Sequence, residues 1–260
     1  MFSLELECTT EERDLLIAEL WERDPAGVVE SELSVRAFFE DDADERALIE
    51  RFAGRRPALR REENRDWVAF SRSLWEPRLV GERLFLVPEW RDDPTPPGRV
   101  RIPVNPGLAC GTGAHEATRL CLEALEDYLR PGMSVLDVGT GSGILSLAAV
   151  LLGAGHVIAC DDDPAATAVA RSRLPPGVAL LTGSLDAVAP ETADLILCNI
   201  SAEAAIELAD GFARCLRTGG AALISGFQAD REEEVAQALA TVRERRTEGE
   251  WRLLISTRVT

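Results

Sequence analysis

The chain opens on Phe2-Ser3-Leu4-Glu5-Leu6-Glu7, where apolar and polar residues alternate and predict a half-buried strand. A helical stretch follows from Thr10, with Leu15, Leu16, Ala18, Leu20 and Trp21 apolar, until Pro25 and Gly27 break it. Val28-Val29 and then residues 33–39 predict two strands, 43–52 a second helix ended by Gly54, and 57–61 an edge strand. The order β-α-β-β-α-β over residues 1–62 fits a small ferredoxin-like α+β domain. Residues 63–76 read as a linking helix, with Trp67, Phe70, Leu74 and Trp75 at roughly helical spacing.

Beyond it, residues 77–260 change pattern. Short strands are predicted at 82–87 and 99–104 and a helix over 116–129. Strands at 134–138, 156–160, 178–182, 193–198 and 220–225 then alternate with helices at 143–152, 164–172, 202–216 and 230–242. A terminal strand over 251–259 closes the chain in a hairpin. Such alternation implies βαβ units, hence an α/β fold with a Rossmann-like, doubly wound and mostly parallel sheet.

Composition narrows the function. At 46% hydrophobic and 28% charged the chain is an ordinary soluble one, with no apolar run of membrane-spanning length and no signal peptide at its start. A cytoplasmic place, no membrane and a monomer are expected. The net charge of −17 disfavours a phosphate backbone, so no direct nucleic-acid target is expected, while a basic partner is favoured. Solubility alone would also explain the charge. Six cysteines without a Cys-x-x-Cys pair, and two histidines, argue for structural thiols and no metal site.

The sharpest local feature is Val135-Leu136-Asp137-Val138-Gly139-Thr140-Gly141-Ser142-Gly143-Ile144-Leu145, an apolar strand running through three glycines into a helix. Glycines allow a tight turn and close ligand approach. A dinucleotide site would show G-x-G-x-x-G with pyrophosphate at the helix end. Here the spacing is G-x-G-x-G, and Asp137 would repel pyrophosphate but suit the amino group of a methionine moiety. Asp161, after the next strand, can accept hydrogen bonds from ribose hydroxyls. Together these favour S-adenosylmethionine over NAD, with Asp137, Gly139, Gly141, Gly143 and Asp161 as binding residues. A glycine-rich turn holding no ligand is the plain alternative.

Asn199 directly follows the apolar strand before it, at the edge where an open α/β sheet binds ligands. Its carbonyl can orient an incoming nucleophile; a strand-end asparagine can also be a simple turn residue. His115 is a candidate catalytic base or a helix cap. The segment 106–118 is glycine-rich and is read as a lid.

Residues 111–120, Gly-Thr-Gly-Ala-His-Glu-Ala-Thr-Arg-Leu, resemble the F-G-T-G-x-H-x-T-T segment of the bacterial methyltransferases that modify large-subunit ribosomal protein eleven. The spacing to Asp137–Leu145 also matches that family, as do Asp161-Asp162-Asp163-Pro164, Asn199-Ile200 and Gly219-Gly220 through Ser225-Gly226. The likeness covers residues 64–260. It implies an S-adenosylmethionine-dependent enzyme that methylates lysine ε-amines and the N-terminal α-amine of large-subunit ribosomal protein eleven. It also implies that residues 1–62 recognise the substrate and that Thr118, Gly139, Asp161 and Asn199 hold the cofactor. Cys110 and Ala117 depart from the motif, which has Phe and Thr there. A methyltransferase for another protein or a small molecule, and a cofactor-binding module without turnover, are the alternatives.

Overall fold

A computed structural model describes residues 1–21, 23–31, 33–41, 43–61, 75–105, 115–239 and 241–258. The linking helix expected over 63–76 lies almost wholly outside the described residues, as does the glycine-rich stretch 106–114. Contacts divide the chain into two compact units, Met1–Leu74 and Trp75–Thr260.

In the first unit β1 (Phe2–Glu7), α1 (Thr10–Trp21), β2 (Gly27–Glu30), β3 (Ser34–Phe39), α2 (Glu45–Arg51) and β4 (Ala58–Arg61) follow one another. The strands form an antiparallel sheet in the order β2-β3-β1-β4, that of a ferredoxin-like sandwich. The alternation in the sequence explains the packing. Phe2, Leu4 and Leu6 of β1 and Val35, Ala37 and Phe39 of β3 are buried together with Leu16 and Leu20 of α1. Phe2 and Phe39 are cross-strand partners whose rings stack 5.6 Å apart. Such a pair contributes about 0.5–1.5 kcal/mol beyond its area. The Asp44 side chain starts α2 by accepting from the Ala47 N–H.

The second unit begins with a three-stranded sheet of β5 (Arg78–Val80), β6 (Leu84–Pro88) and β7 (Val100–Val104), followed by α3 (Glu116–Tyr128). Next come β8 (Ser134–Val138), α4 (Ile144–Leu151), β9 (His156–Asp161), α5 (Pro164–Arg173), β10 (Ala179–Thr182) and β11 (Ala193–Asn199). After these the chain forms α6 (Ala202–Glu207), α7 (Ala209–Cys215), β12 (Leu216–Gln228), α8 (Glu232–Ala238), β13 (Val242–Glu248) and β14 (Trp251–Thr257). The seven-stranded sheet runs β10-β9-β8-β11-β12-β14-β13. Its first five strands are parallel, and β14 is antiparallel to both neighbours.

The α/β class and the parallel sheet are as the sequence predicts, with differences at the C-terminal side. The helix expected over 202–216 is two helices that meet at Leu208. The strand expected at 220–225 runs from Leu216, which pairs with Ala193 and is buried. The helix expected over 230–242 stops at Ala238, and the charged run Val-Arg-Glu-Arg-Arg-Thr-Glu forms edge strand β13. An edge strand needs no apolar face, and charge protects it from pairing with another chain. Arg246 of β13 binds Asp127, and the Tyr128 hydroxyl donates to Glu244, so polar contacts fasten this edge to α3.

β8 lies between β9 and β11 with both faces covered. Val135 packs on the α3 and α4 side with Leu122, Leu125 and Ala148, and Leu136 packs on the other side with Ile196 and Phe212. From β8 the chain first builds outward to β9 and β10, then returns to place β11 on the opposite flank. That reversal leaves a crevice at the carboxyl ends of β8 and β11, where open α/β sheets bind ligands. Among the described residues, no helix is long and apolar enough to cross a membrane.

Candidate active site

A crevice of about 590 Å³ opens at this reversal. Its walls come from Gly139, Thr140 and Gly141 after β8, Asp161 at the end of β9 with Asp162 and Asp163 beyond it, and Asn199 and Ile200 at the end of β11. Ile144, Leu145, Ala165, Ala166 and Val169, from the starts of α4 and α5, add an apolar flank. The loop after β8 is pinned from below. The backbone N–H groups of Gly139 and Thr140 both donate to the Cys160 carbonyl of β9, at 2.9 and 3.0 Å. Gly139 has φ +69°, and a Cβ there would collide with Ile200 Cγ2. Gly143 has another task. It is the left-handed N-cap of α4, a Cβ there would press on the Leu174 side chain, and it is not among the crevice-lining residues.

Asp137, expected against the methionine amino group, does not line the crevice. It is fully buried beneath the glycine loop. Its Oδ2 accepts from Thr140 Oγ1 at 2.7 Å, from Ser146 Oγ at 2.6 Å and from the Ser146 N–H at 3.1 Å. Thr140 and Ser146 were not singled out in the sequence. Their only signal is two hydroxyls spaced around an acid. The Ser146 N–H belongs to the first turn of α4, so the carboxylate occupies one of the donors a phosphate would use there. Asp137 thus disfavours pyrophosphate from inside the fold.

Burial pushes the Asp137 carboxyl above the usual range, against the opposing hydrogen bonds from Ser146 and Thr140. A carboxyl with a raised folded pKa binds its proton more tightly when folded. The folded state therefore gains stability as pH falls toward the ordinary value, and loses that gain as pH rises through the folded value. Relative to Asp137→Asn, the natural chain is expected to gain thermal stability on moving from about pH 7 toward pH 4. Parallel melting curves check this, and a constant difference between the two proteins would refute it.

Asp161 stands on the crevice wall. One carboxylate oxygen accepts from the Gly141 N–H at 2.8 Å and the other from the Asp163 N–H at 3.0 Å. A carboxylate has about four acceptor sites, so capacity for hydroxyl donors remains. Asn199 also lines the crevice, and its Nδ2 donates to Thr118 Oγ1 at 3.1 Å. Thr118, implied as a cofactor residue, lies in the first turn of α3 and is 1% exposed. It backs Asn199 and does not itself line the crevice. His115, a catalytic candidate, is the N-cap of α3. Its Nδ1 accepts from the Ala117 N–H, and its ring meets Trp251 edge-on at 4.2 Å. The capping alternative describes this geometry; His115 is not among the crevice-lining residues.

Of the six cysteines expected to be structural thiols, Cys110 lies outside the described residues. Cys8, Cys121, Cys160, Cys198 and Cys215 are free and buried. Burial pushes the Cys160 thiol up to about 12 and keeps it protonated.

The residues present fit S-adenosylmethionine. Among the described residues, three carboxylates and no cationic side chain line the crevice, which suits a sulfonium and an ammonium and opposes a pyrophosphate. Backbone stripped to glycine admits a ligand closely, Asp161 offers acceptors for hydroxyls, and the apolar flank offers a surface for a purine. Fold and site together define a class I S-adenosylmethionine-dependent methyltransferase.

A family model described as ribosomal protein L11 methyltransferase (PrmA) matches residues 4–259. The ribosomal protein L11 methyltransferase of Pelobacter propionicus is 40% identical over 247 residues, covering 84% of this chain and 79% of that protein. The one from Cupriavidus necator is 38% identical over 218 residues, covering 79% and 71%. The crystal structure of ribosomal protein L11 methylase from Lactobacillus delbrueckii subsp. bulgaricus superposes with a TM-score of 0.65 at 29% identity, covering 72% of this chain and 99% of that one. The chain belongs to the ribosomal protein L11 methyltransferase family.

Proposed function

We propose that this chain methylates lysine ε-amines and the N-terminal α-amine of ribosomal protein L11, with S-adenosylmethionine as donor. The observation that carries the reading is the acidic crevice at the sheet reversal with an asparagine amide on its wall. When bound, the cofactor supplies an already activated methyl group on a sulfonium, so positioning dominates catalysis. Gly139, Gly141, Asp161 and Asn199 hold it.

The amine must arrive neutral. An unperturbed lysine has a pKa of about 10.4, so roughly one in 2,500 is neutral at pH 7. Desolvation against the apolar flank lowers that value. Asn199 Oδ1, with Nδ2 engaged by Thr118, accepts an amine N–H and aims the lone pair. No strong general base is required. The direct test is incubation with labelled cofactor and unmodified ribosomes or their free proteins, followed by mass spectrometry. Label on L11 amines is expected; label only elsewhere, or none, defeats the reading.

Asp161→Ala is expected to weaken cofactor binding by roughly 1.5–3 kcal/mol, the scale of hydrogen bonds to a charged group. Calorimetry measures it, and an unchanged Kd would show Asp161 misplaced.

Residues 1–62 serve as the recognition domain, joined by a linker over 63–76 to the catalytic domain. Seventeen acidic residues against nine arginines give them an excess of eight negative charges. A basic ribosomal protein is attracted to such a surface, and the encounter slows with salt. A chain beginning near Asn64 is expected to keep cofactor binding and lose most activity on L11. Full activity in that chain would remove the recognition role. The enzyme acts as a cytoplasmic monomer, which light scattering and fractionation check.

A further inference from the structure

Methyl transfer joins two partners that this chain holds from different strands. On the reading above, the donor rests on the β8 side, at Gly139 and Gly141, and the amine is oriented on the β11 side, by Asn199. The reacting atoms must come within about 3–3.5 Å and in line, and a misplacement of about 1 Å can cost roughly a hundredfold in rate. The gap between the loop after β8 and the end of β11 therefore has to be fixed.

Ile200 stands in that gap, with its backbone fixed from the β12 side. Asn199 pairs in register with Ser225, and the Ile200 N–H donates to the Ser225 carbonyl at 3.1 Å. The Ser225 hydroxyl in turn donates to the Arg252 carbonyl of β14 at 2.7 Å. At the next residue the register of β12 shifts. Gly226 takes φ +101°, and a Cβ there would collide with the Ile200 backbone. Bare backbone is thus laid against the Ile200 peptide. The Ile200 side chain reaches the loop after β8, where its Cγ2 fills the space that a Cβ on Gly139 would need. Ile200 also lines the crevice beside Asn199. A β-branched side chain is stiff at χ1, so on a fixed backbone it makes a rigid spacer.

We propose that Ile200 is a positioning residue, a spacer whose Cγ2 methyl sets the distance between the donor loop at Gly139 and the amine-orienting amide of Asn199. This rests on the readings of Gly139 and Asn199 under the proposed function. It gives the glycine at 139 two tasks, the turn itself and room for this methyl. Ile200 then acts on the rate through the loop and the amide, and not through the strength of donor binding.

The test compares Ile200→Ala, Ile200→Val, Gly139→Ala, the Gly139→Ala/Ile200→Ala double variant and Asn199→Ala in the full chain. Cofactor calorimetry and melting curves accompany steady-state rates on L11. Ile200→Ala removes Cγ2 and is expected to lower kcat by about ten- to a hundredfold, the scale of a misplaced group. Cofactor Kd should stay close to that of the natural chain. Ile200→Val keeps the methyl and should retain most of the rate. Gly139→Ala puts a methyl where Cγ2 lies and should weaken cofactor binding. In the Ile200→Ala background that methyl has room, so its cost in Kd should shrink by about tenfold, a relief that packing elsewhere would not give. If Ile200→Ala fails to fold, the double variant, whose added methyl refills the vacated space, is set against Gly139→Ala alone and should bind the cofactor more tightly. A natural kcat in Ile200→Ala, a loss confined to cofactor Kd, or a Gly139→Ala cost that is equal in both backgrounds would each overturn the spacer. Asn199→Ala at the natural rate would instead remove the reading of Asn199, and the spacer with it.

Discussion

Gly141→Arg is expected to abolish cofactor binding while leaving the fold in place. Gly141 lines the crevice at φ +53°, where a side chain other than glycine costs about 1–2 kcal/mol of backbone strain. That strain alone would be tolerable. The larger effect is occupancy, since the new side chain enters a crevice of about 590 Å³ that must take an entire nucleoside and amino acid. Its guanidinium would be drawn to Asp161, Asp162 and Asp163 and held there in place of the cationic ligand. The Gly141 N–H also donates to Asp161, so distortion of the loop disturbs the carboxylate as well. Calorimetry should detect no binding of S-adenosylmethionine, with a melting temperature within a few degrees of the natural chain. Retained binding would mean that the cofactor does not pass over this loop.

Asn199→Ala is expected to lower kcat about a hundredfold or more, with a smaller change in cofactor Kd. The substitution removes the proposed acceptor for the amine and leaves the β11 backbone intact. Asn199→Asp separates charge from shape. It keeps an acceptor oxygen and should retain more rate than alanine. Its carboxylate also stabilises the ammonium form of the substrate, so the amine pKa rises and the rate profile should shift to higher pH. Stopped turnover at saturating substrates measures the first effect, and rates across pH measure the second. A natural kcat in Asn199→Ala would take the amide out of the reaction.

The parts of the site legible in the sequence are those where the chain itself changes character. The apolar run into Gly139 and Gly141 marks a strand entering a ligand loop, and Asn199 stands out as the polar residue that ends a buried strand. The place of Asp137 beneath the loop is illegible for a physical reason. β8 is covered on both faces, so period-two alternation says nothing about which side of the strand the carboxylate takes. Thr118 and Asn199 lie 81 positions apart, and no local pattern announces a hydrogen bond between them. His115 is ambiguous because a histidine opening a helix reads equally as cap and as base. β13 is missed because its charged residues carry no apolar signal and its place at the sheet edge demands none.

The buried carboxylate below the glycine loop has a consequence for life among other adenosine compounds. ATP, NAD and coenzyme A share the purine and ribose of S-adenosylmethionine. Steric exclusion of each would need a tailored wall, and every change in the wall would risk the proper ligand. With Asp137 already seated on the Ser146 N–H, the start of α4 offers a polyphosphate less than a free helix end would. One part of the discrimination thus sits at a residue outside the crevice lining, so exchanging Asp161, Asp162 or Asp163 would weaken the charge opposition to a polyphosphate and leave the part that rests on Asp137 in place.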